Sequence, residues 1–248
     1  MIVKRKNSGI IIIGDEILSG KTQDKNSRFL SKELGKRGVD VLEISVIPDI
    51  EDEIIKKVKL FSSNYDYVFT TGGIGPTHDD ITALSVSRAF KLKYEQNKEA
   101  KKILEKHYKK KELTKARQKM SFMPRGATLI YNPVSAAPGF IIKNVYVLPG
   151  VPMILKPMVL EYLTNYFTIN ILPQVRISTK LSEGIIGEFI GQIQKNNKQV
   201  TIGSYPYFKN DNFGVSLIMK SENRRILDQV SKKVYSYLKK KSGNPKYF

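Results

Sequence analysis

The chain has 248 residues, a hydrophobic content of 41% and a formal net charge of +19. This length allows one large domain or two small ones, with enough apolar residues for a globular core. The absence of cysteine excludes disulfides and thiolate metal sites. No apolar run approaches the roughly 20 residues that cross a bilayer, and the one near the N-terminus is too short for a signal peptide. We therefore expect a cytoplasmic protein with no membrane partner.

The positive charge is unevenly distributed along the chain. Residues 1–90 are balanced, with 13 Lys/Arg and 13 Asp/Glu, whereas residues 91–125 carry 13 against 4. Such an excess can mark a surface for nucleic acid or anionic metabolites, or it can be a set of solvated lysine faces. The sequence shows no helix-turn-helix, RNA-recognition or KH signature, so a nucleic-acid partner is not expected.

Strands and helices alternate through the first third of the chain. The apolar runs Ile10–Ile13 and Tyr67–Thr71 and the partly alternating segment Val39–Val46 are typical of strands, and the first suits a strand buried on both faces. Helical spacing of apolar residues predicts helices over Asn26–Arg37 and Ile50–Phe61. This alternation predicts a parallel sheet with helices on both sides.

The remainder of the chain divides near Pro173. We predict a largely helical stretch over 82–119, short strands within 127–148, and a helix from the turn at 149–152 to about 166. Beyond Pro173 the predicted elements are a strand at 175–179, a helix at 183–195, strands at 200–205 and 213–219, a helix at 222–240 and a frayed tail at 242–245. The predicted domains are therefore residues 1–170 and 171–248.

A glycine-rich segment directly follows the third predicted strand. It contains Gly72, Gly73, Gly75 and Pro76, and the acidic pair Asp79-Asp80 comes next. Glycines allow backbone N–H groups to approach a phosphate closely. Carboxylates beside a phosphate indicate a divalent cation or an acid–base role. The alternative interpretation is that the pair only complements the dipole of the next helix.

Two further acidic segments also follow predicted strands. Gly14-Asp15-Glu16 comes after the first strand, and Pro48-Asp49 comes after the second. Ligands of parallel α/β sheets bind outside the carboxyl ends of the strands. We therefore expect these segments and the glycine-rich segment to reach one crevice.

Four sequence blocks, in this order, carry a family resemblance. They are Gly14–Gly20 with Asp24–Ser27, then Thr71–Thr82, Asn132–Phe140 and Leu148–Pro152. Together they resemble the MoaB/Mog family of molybdopterin-binding domains, most closely the N-terminal domain of CinA-type proteins. The resemblance implies a MoaB/Mog-like, mostly parallel three-layer α/β/α sandwich followed by a small α/β second domain. The nicotinamide-nucleotide deamidase domain of full-length CinA proteins is not expected within this sequence.

The resemblance also implies a chemistry. CinA-type domains are associated with metal-dependent cleavage of ADP-ribose, the related domain of eukaryotic FAD synthases with FAD hydrolysis, and the Mog branch with adenylylation of molybdopterin. We expect a pyrophosphatase that uses Mg, Mn or Co, acts on ADP-ribose or a related adenine dinucleotide such as FAD, and releases AMP. The alternative is a protein that binds or adenylylates molybdopterin, with a pterin phosphate as ligand. The family usually assembles as dimers or trimers, so a homo-oligomer is expected.

Individual residues take roles from the same resemblance. Asp80 matches the catalytic aspartate of the Mog loop and Asp49 the family's second acidic position, so both are assigned to metal binding or to orienting the attacking water. Asp79 replaces an arginine frequent in the Mog branch, and it is assigned to the metal. The expected ligand-binding residues are Gly14, Asp15, Glu16, Gly20, Asn26, Gly72, Gly73, Gly75, Pro76, Thr77, Thr82, Ser135, Gly139, Pro149 and Gly150. For several of these, including Asp15, Asn26 and Thr82, helix capping or loop anchoring is an equal alternative.

Overall fold

The computed structural model describes residues 5–109, 112–209 and 212–248, and the chain divides into two compact units, residues 1–170 and 171–248. The elements of the first unit are β1 (Lys6–Ile13), α1 (Asp15–Leu18), α2 (Asn26–Gly35), β2 (Val39–Ile47), α3 (Glu51–Asn64), β3 (Tyr67–Thr71), α4 (Thr82–Ala89), β4 (Tyr94–Gln96), α5 (Lys98–His107), α6 (Lys115–Lys119), β5 (Phe122–Pro124), β6 (Thr128–Ile130), β7 (Gly139–Ile142), β8 (Val145–Leu148) and α7 (Pro152–Tyr166). Those of the second are β9 (Gln174–Thr179), α8 (Glu183–Asn196), β10 (Thr201–Lys209), β11 (Asn212–Lys220), α9 (Arg224–Lys240) and β12 (Lys246–Tyr247). None of the helices in these described ranges is long and apolar enough to cross a membrane.

The first unit is built on a six-stranded sheet with the order β2-β1-β3-β8-β7-β6. Strands β2, β1, β3 and β8 run parallel, and β7 and β6 each pair antiparallel with a neighbour. This mostly parallel sheet confirms the predicted α/β fold class. The run of isoleucines in β1 is buried throughout because both faces of the sheet are covered.

The two faces of the sheet have separate cores. Ile10 and Ile12 of β1 pack with residues of α2 and α7, whereas Ile11 and Ile13 pack with residues of α3 and α4. This alternation follows from the two-residue period of a strand. The parallel strands β1, β2, β3 and β8 all end at one edge of the sheet, so the loops after Ile13, Ile47, Thr71 and Leu148 gather there.

A short antiparallel pair interrupts the stretch that was predicted to be helical. Tyr94–Gln96 forms β4 and pairs with β5, Phe122–Pro124. The prediction is wrong for these residues because a three-residue strand is too short to show a period of two. Residues 110 and 111, which the helical prediction also covered, lie outside the described part of the chain.

The second unit packs α8 and α9 with an antiparallel sheet of order β10-β11-β9-β12, around a core that includes Ile177, Leu217 and Val234. The frayed tail predicted at 242–245 is wrong. The Thr179 hydroxyl donates a hydrogen bond to the Gly243 carbonyl at 2.7 Å, and β12 pairs with β9. These contacts hold the segment against the sheet.

Glu33 on α2 forms a largely buried ion pair that should contribute to stability. Its carboxylate accepts hydrogen bonds from Lys36 Nζ at 2.6 Å and Arg37 Nη1 at 2.9 Å. Burial by itself raises the pKa of Glu33, but the bonds and charges of Lys36 and Arg37 bring that pKa below its ordinary value. We expect Glu33→Gln to lower the free energy of unfolding at pH 7 by about 2 kcal/mol, because Arg37 stays buried without its carboxylate.

The pH dependence of this effect has a defined sign. Because the pKa of Glu33 is lower in the folded than in the unfolded chain, its contribution is present above the ordinary glutamate pKa of about 4.3 and is lost as pH falls through the folded-state pKa. Urea unfolding of the unmodified chain and the variant should therefore differ less at pH 3 than at pH 7. Glu161→Gln, at an exposed position of α7, is the control. An equal difference at both pH values would contradict the prediction.

Candidate active site

A cavity of about 680 Å³ lies at the edge where the parallel strands end. It brings together most of the residues predicted for the site from the sequence. Those that line it are Gly14, Glu16, Asp49, Gly72, Gly73, Gly75, Pro76, Thr77, Asp79, Asp80, Ser135, Pro149 and Gly150. Its size is in the range of small-molecule sites.

The glycine-rich loop fits closely against the end of β1. Gly72 has φ of +107° and Gly73 has φ of +67°, both in the region that favours glycine. A Cβ atom on Gly72 would lie 2.0 Å from the carbonyl oxygen of Ile13. The Gly72 N–H also donates to the Leu148 carbonyl at 3.1 Å. Glycine at position 72 therefore lets the ends of β1, β3 and β8 come together beneath the cavity.

Two of the predicted ligand-binding residues support the loops instead of lining the cavity. The Thr82 hydroxyl is buried and donates to the Gly72 carbonyl at 3.0 Å, and the Thr82 N–H donates to the Gly73 carbonyl at 3.0 Å. Asn26 is also buried, and its Nδ2 donates to the Gly150 carbonyl at 2.7 Å. These bonds agree with the anchoring alternative that the sequence left open.

Three other predicted residues are likewise absent from the described lining of the cavity. Gly20 lies in the turn after α1 with φ of +74°. Gly139 belongs to β7, where a Cβ atom would lie 2.5 Å from the Val147 carbonyl oxygen. Asp15 contributes its backbone, since its N–H donates to Asp49 Oδ2 at 3.0 Å. Asp15 therefore contributes to the cavity by holding the Asp49 carboxylate with its backbone N–H.

Asp79 and Asp80 are held by the loop itself. Asp80 Oδ2 accepts from the Thr77 N–H at 2.8 Å and from the Thr77 hydroxyl at 2.5 Å, and the same hydroxyl contacts Asp79 Oδ1. Neither carboxylate caps α4, whose N-terminus has no side-chain cap. The contact with Thr77, with the nearby charges of His78 and Lys119, lowers the pKa of Asp79. Asp79 is therefore ionised at neutral pH.

Asp49 has a different environment. Burial raises the pKa of its carboxyl, the hydrogen bond from the Asp15 N–H opposes that rise, and the surrounding negative charges add to it. Those charges come from Asp15, Glu16 and Asp79. The cavity thus brings several acidic groups together around Asp49.

This arrangement fits a divalent cation. Among the residues that the structure describes, no three acidic or histidine side chains already form a metal cluster. Mg²⁺, however, commonly binds through one or two carboxylates together with substrate phosphates. Burial and, after it, the neighbouring negative charges raise the pKa of Asp49, and a bound cation would counteract both. Asp49 and Asp79, with the neighbouring Asp80, are the carboxylates of the cavity that would hold such a cation.

The sequence interpretation missed the residues that come from the lysine-rich stretch. Arg117 on α6 lines the cavity, and its guanidinium lies 4.5 Å from the centre of the Tyr108 ring, which lines it too. Among the described lining residues, Arg117 supplies the positive charge. Lys119 Nζ donates to the Thr77 carbonyl at 2.6 Å. The charge excess of residues 91–125 was the signal in the sequence, but it did not indicate which cations face the cavity.

Asn132 is a second residue whose role was missed, although it lies in one of the four blocks. Its Oδ1 accepts from the N–H groups of Val134 at 2.9 Å and Ser135 at 3.0 Å, and its Nδ2 donates to Ser135 Oγ at 2.7 Å. Asn132 therefore fixes the turn that presents Ser135 to the cavity.

The fold and the cavity define a class of protein. A mostly parallel sheet with a glycine-rich loop, carboxylates and an arginine at its carboxyl edge is typical of α/β domains that bind phosphorylated small molecules. Residues 9–168 match the family described as "Probable molybdopterin binding domain". The chain belongs to this family, as the four sequence blocks predicted. Residues 174–246 match a second family, "FAD synthase, middle domain".

Individual proteins and a solved structure are also similar to this chain. A protein of Archaeoglobus fulgidus is 37% identical over 197 residues, covering 79% of this chain and 84% of that protein. The "Probable FAD synthase" of Caenorhabditis elegans is 32% identical over 253 residues, covering 92% of this chain and 49% of that protein, so the chain spans about half of its length. The crystal structure of CinA from Thermoplasma acidophilum, described as of unknown function, has 32% identity and a TM-score of 0.61, covering 65% of this chain and 97% of that one.

Proposed function

We propose that this protein is a metal-dependent pyrophosphatase that hydrolyses ADP-ribose or a related adenine dinucleotide such as FAD and releases AMP. The observation that carries the proposal is that Asp49, Asp79 and Asp80 line the same cavity as Arg117. The likeness of both units to FAD synthases supports a dinucleotide ligand. A homo-oligomer, expected from the family resemblance, stays a prediction.

Each part of the cavity has a role in this reaction. The guanidinium of Arg117 binds oxygens of the phosphoanhydride, for which its planar fork is suited. A divalent cation held by Asp49 and Asp79 would neutralise charge on the phosphate groups. Asp80 has its Oδ2 tied to Thr77, which leaves Oδ1 without a hydrogen-bond partner among the described residues. That oxygen orients the water that attacks phosphorus while the anhydride P–O bond breaks.

A second candidate function is the binding or adenylylation of molybdopterin, which the family match favours. Asp79 favours hydrolysis over adenylylation. A carboxylate at this position is a ligand for a cation, whereas the arginine frequent in the Mog branch would donate hydrogen bonds to phosphate. Tight pterin binding without metal and without dinucleotide turnover would favour this second function.

A chromatographic product assay tests the proposal directly. The full chain is incubated with ADP-ribose, FAD or NAD, in the presence of Mg²⁺, Mn²⁺ or Co²⁺ or of a chelator. We expect AMP to appear only when metal is present, and the relative rates would rank the substrates. The absence of AMP under every condition would reject the pyrophosphatase and direct the next measurement to molybdopterin affinity.

Replacing Arg117 tests the assignment of the phosphate-binding cation. We expect Arg117→Gln to raise KM for the dinucleotide about tenfold with a smaller change in kcat, because a charge-assisted contact is lost from the bound substrate. Arg125→Gln is the matched control, since Arg125 pairs with Glu95 and is not among the lining residues of the cavity. Equal KM values for the two variants would show that Arg117 does not bind the substrate.

A further inference from the structure

A second cavity shares the Asp80 loop with the first, and none of the roles assigned above places a ligand in it. It measures about 450 Å³ and is lined by residues of the β4–β5 pair, of α4 and α6, and of the loop that carries Asp80. Asp80 lines both cavities. An occupant of this second cavity, which we call the aromatic cleft, therefore reaches the same loop as the candidate catalytic carboxylates.

The aromatic cleft has two half-buried aromatic rings in its wall. Pairing of β4 with β5 brings Tyr94 and Phe122 together, with ring centroids 5.6 Å apart and planes tilted by 42°. Ile81 and Leu84 add apolar surface. Burial raises the pKa of Tyr94, so its hydroxyl is neutral at physiological pH. Such a wall suits a flat aromatic ring, which stacks on aromatic side chains without needing specific polar contacts.

Cationic side chains border the same cleft. Lys115 is exposed and Lys119 is half-buried, and both belong to α6. His78 stands on the loop side. Lys119 Nζ already donates to the Thr77 carbonyl, which leaves ammonium hydrogens for another acceptor. Lysines beside an aromatic wall match a ring that carries a phosphate group.

We infer that the aromatic cleft binds a planar heterocycle carrying a phosphate, and that it holds one aromatic half of the dinucleotide whose phosphoanhydride lies in the larger cavity. The first part stands on the residues of the cleft alone. The second part rests on the proposed function. A volume of about 450 Å³ is in the range of sites for ligands of mononucleotide size.

Binding of mononucleotides to the metal-free full chain tests the cleft without any turnover. FMN is titrated by flavin fluorescence and AMP by calorimetry, and at least one of them should bind. We expect Phe122→Ser to weaken that binding about tenfold through loss of stacking. Lys115→Glu should weaken it about fivefold, and more at low salt, through reversal of a charge. Lys102→Glu, at an exposed position of α5, should leave it unchanged.

The outcomes separate this inference from the proposed function. Binding of neither mononucleotide overturns the cleft as a site, and so does binding that Asp49→Asn abolishes but Lys115→Glu and Phe122→Ser do not affect. Because Lys115 is exposed, its variant stays informative even if Phe122→Ser unfolds the chain. Binding with the expected pattern in a chain that hydrolyses no dinucleotide supports the cleft and rejects the pyrophosphatase. Turnover with KM unchanged in both cleft variants supports the pyrophosphatase and rejects the cleft as its subsite.

Discussion

Replacing Asp49 by asparagine is expected to lower kcat for metal-supported AMP release by about a thousandfold, comparable to removing a main electrostatic group from an active site. The amide keeps the size of the side chain and an oxygen that accepts from the Asp15 N–H, which lies 3.0 Å away. It removes the negative charge that would hold a cation. The loss should therefore fall on catalysis and on metal affinity while the folded structure is kept.

Two measurements separate these effects. The rate of AMP release is followed as Mn²⁺ is varied, and Mn²⁺ binding is measured by calorimetry in the absence of substrate. Asp52→Asn is the matched control, since Asp52 lies exposed in the first turn of α3 three residues along the chain. A double variant with Asp80→Asn should show no activity above background. If it hydrolyses ADP-ribose and FAD as fast as the unmodified chain, neither aspartate belongs to the active site.

Much of the candidate site was predictable because it depends on sheet topology. Asp49 and Asp79 are distant in sequence, but each follows a strand of the parallel sheet, and the carboxyl ends of parallel strands meet at one edge. The strand assignments needed only short apolar runs such as Ile10–Ile13. Once the strands were assigned, the parallel arrangement predicted that the segments carrying Asp49 and Asp79 lie close together.

The contribution of the lysine-rich stretch was not predictable in this way. Arg117 reaches the cavity through α6, a helix of five residues, and through its stacking on Tyr108. Neither the start of so short a helix nor the direction of its side chains leaves a periodic pattern in the sequence. The strand pair that places Tyr94 beside Phe122 was missed for the same reason, because each strand has three residues.

The distinction between lining the cavity and supporting it also needed coordinates. Thr82 and Asn26 stand in the same blocks as residues that face the ligand space, and their side chains can bond phosphate or backbone equally well. The structure shows both of them bonded to loop carbonyls, at Gly72 and Gly150 respectively. For these two residues, the hydroxyl and the amide of the motif stabilise loops and do not line the cavity.

Gly72 is the position where a single methyl group should have the largest effect on stability. We expect Gly72→Ala to lower the free energy of unfolding by about 4 kcal/mol, since the backbone has φ of +107° and the added Cβ would meet the Ile13 carbonyl oxygen at 2.0 Å. The clash of this Cβ atom with the Ile13 carbonyl is relieved only if β1 and β3 separate at the edge of the sheet that carries the cavity. Dinucleotide hydrolysis should therefore fall even at temperatures where the variant remains folded.

Gly20→Ala is the control that separates backbone strain from steric contact. Gly20 also has positive φ, at +74°, but a Cβ there would have no heavy atom within 4 Å. We expect this variant to lose only about 1 kcal/mol, the cost of the left-handed conformation itself. Urea unfolding of the three proteins measures both values. A similar loss in the two variants would mean that the backbone conformation alone determines the cost, and that the close approach of Gly72 to Ile13 does not hold the floor of the cavity.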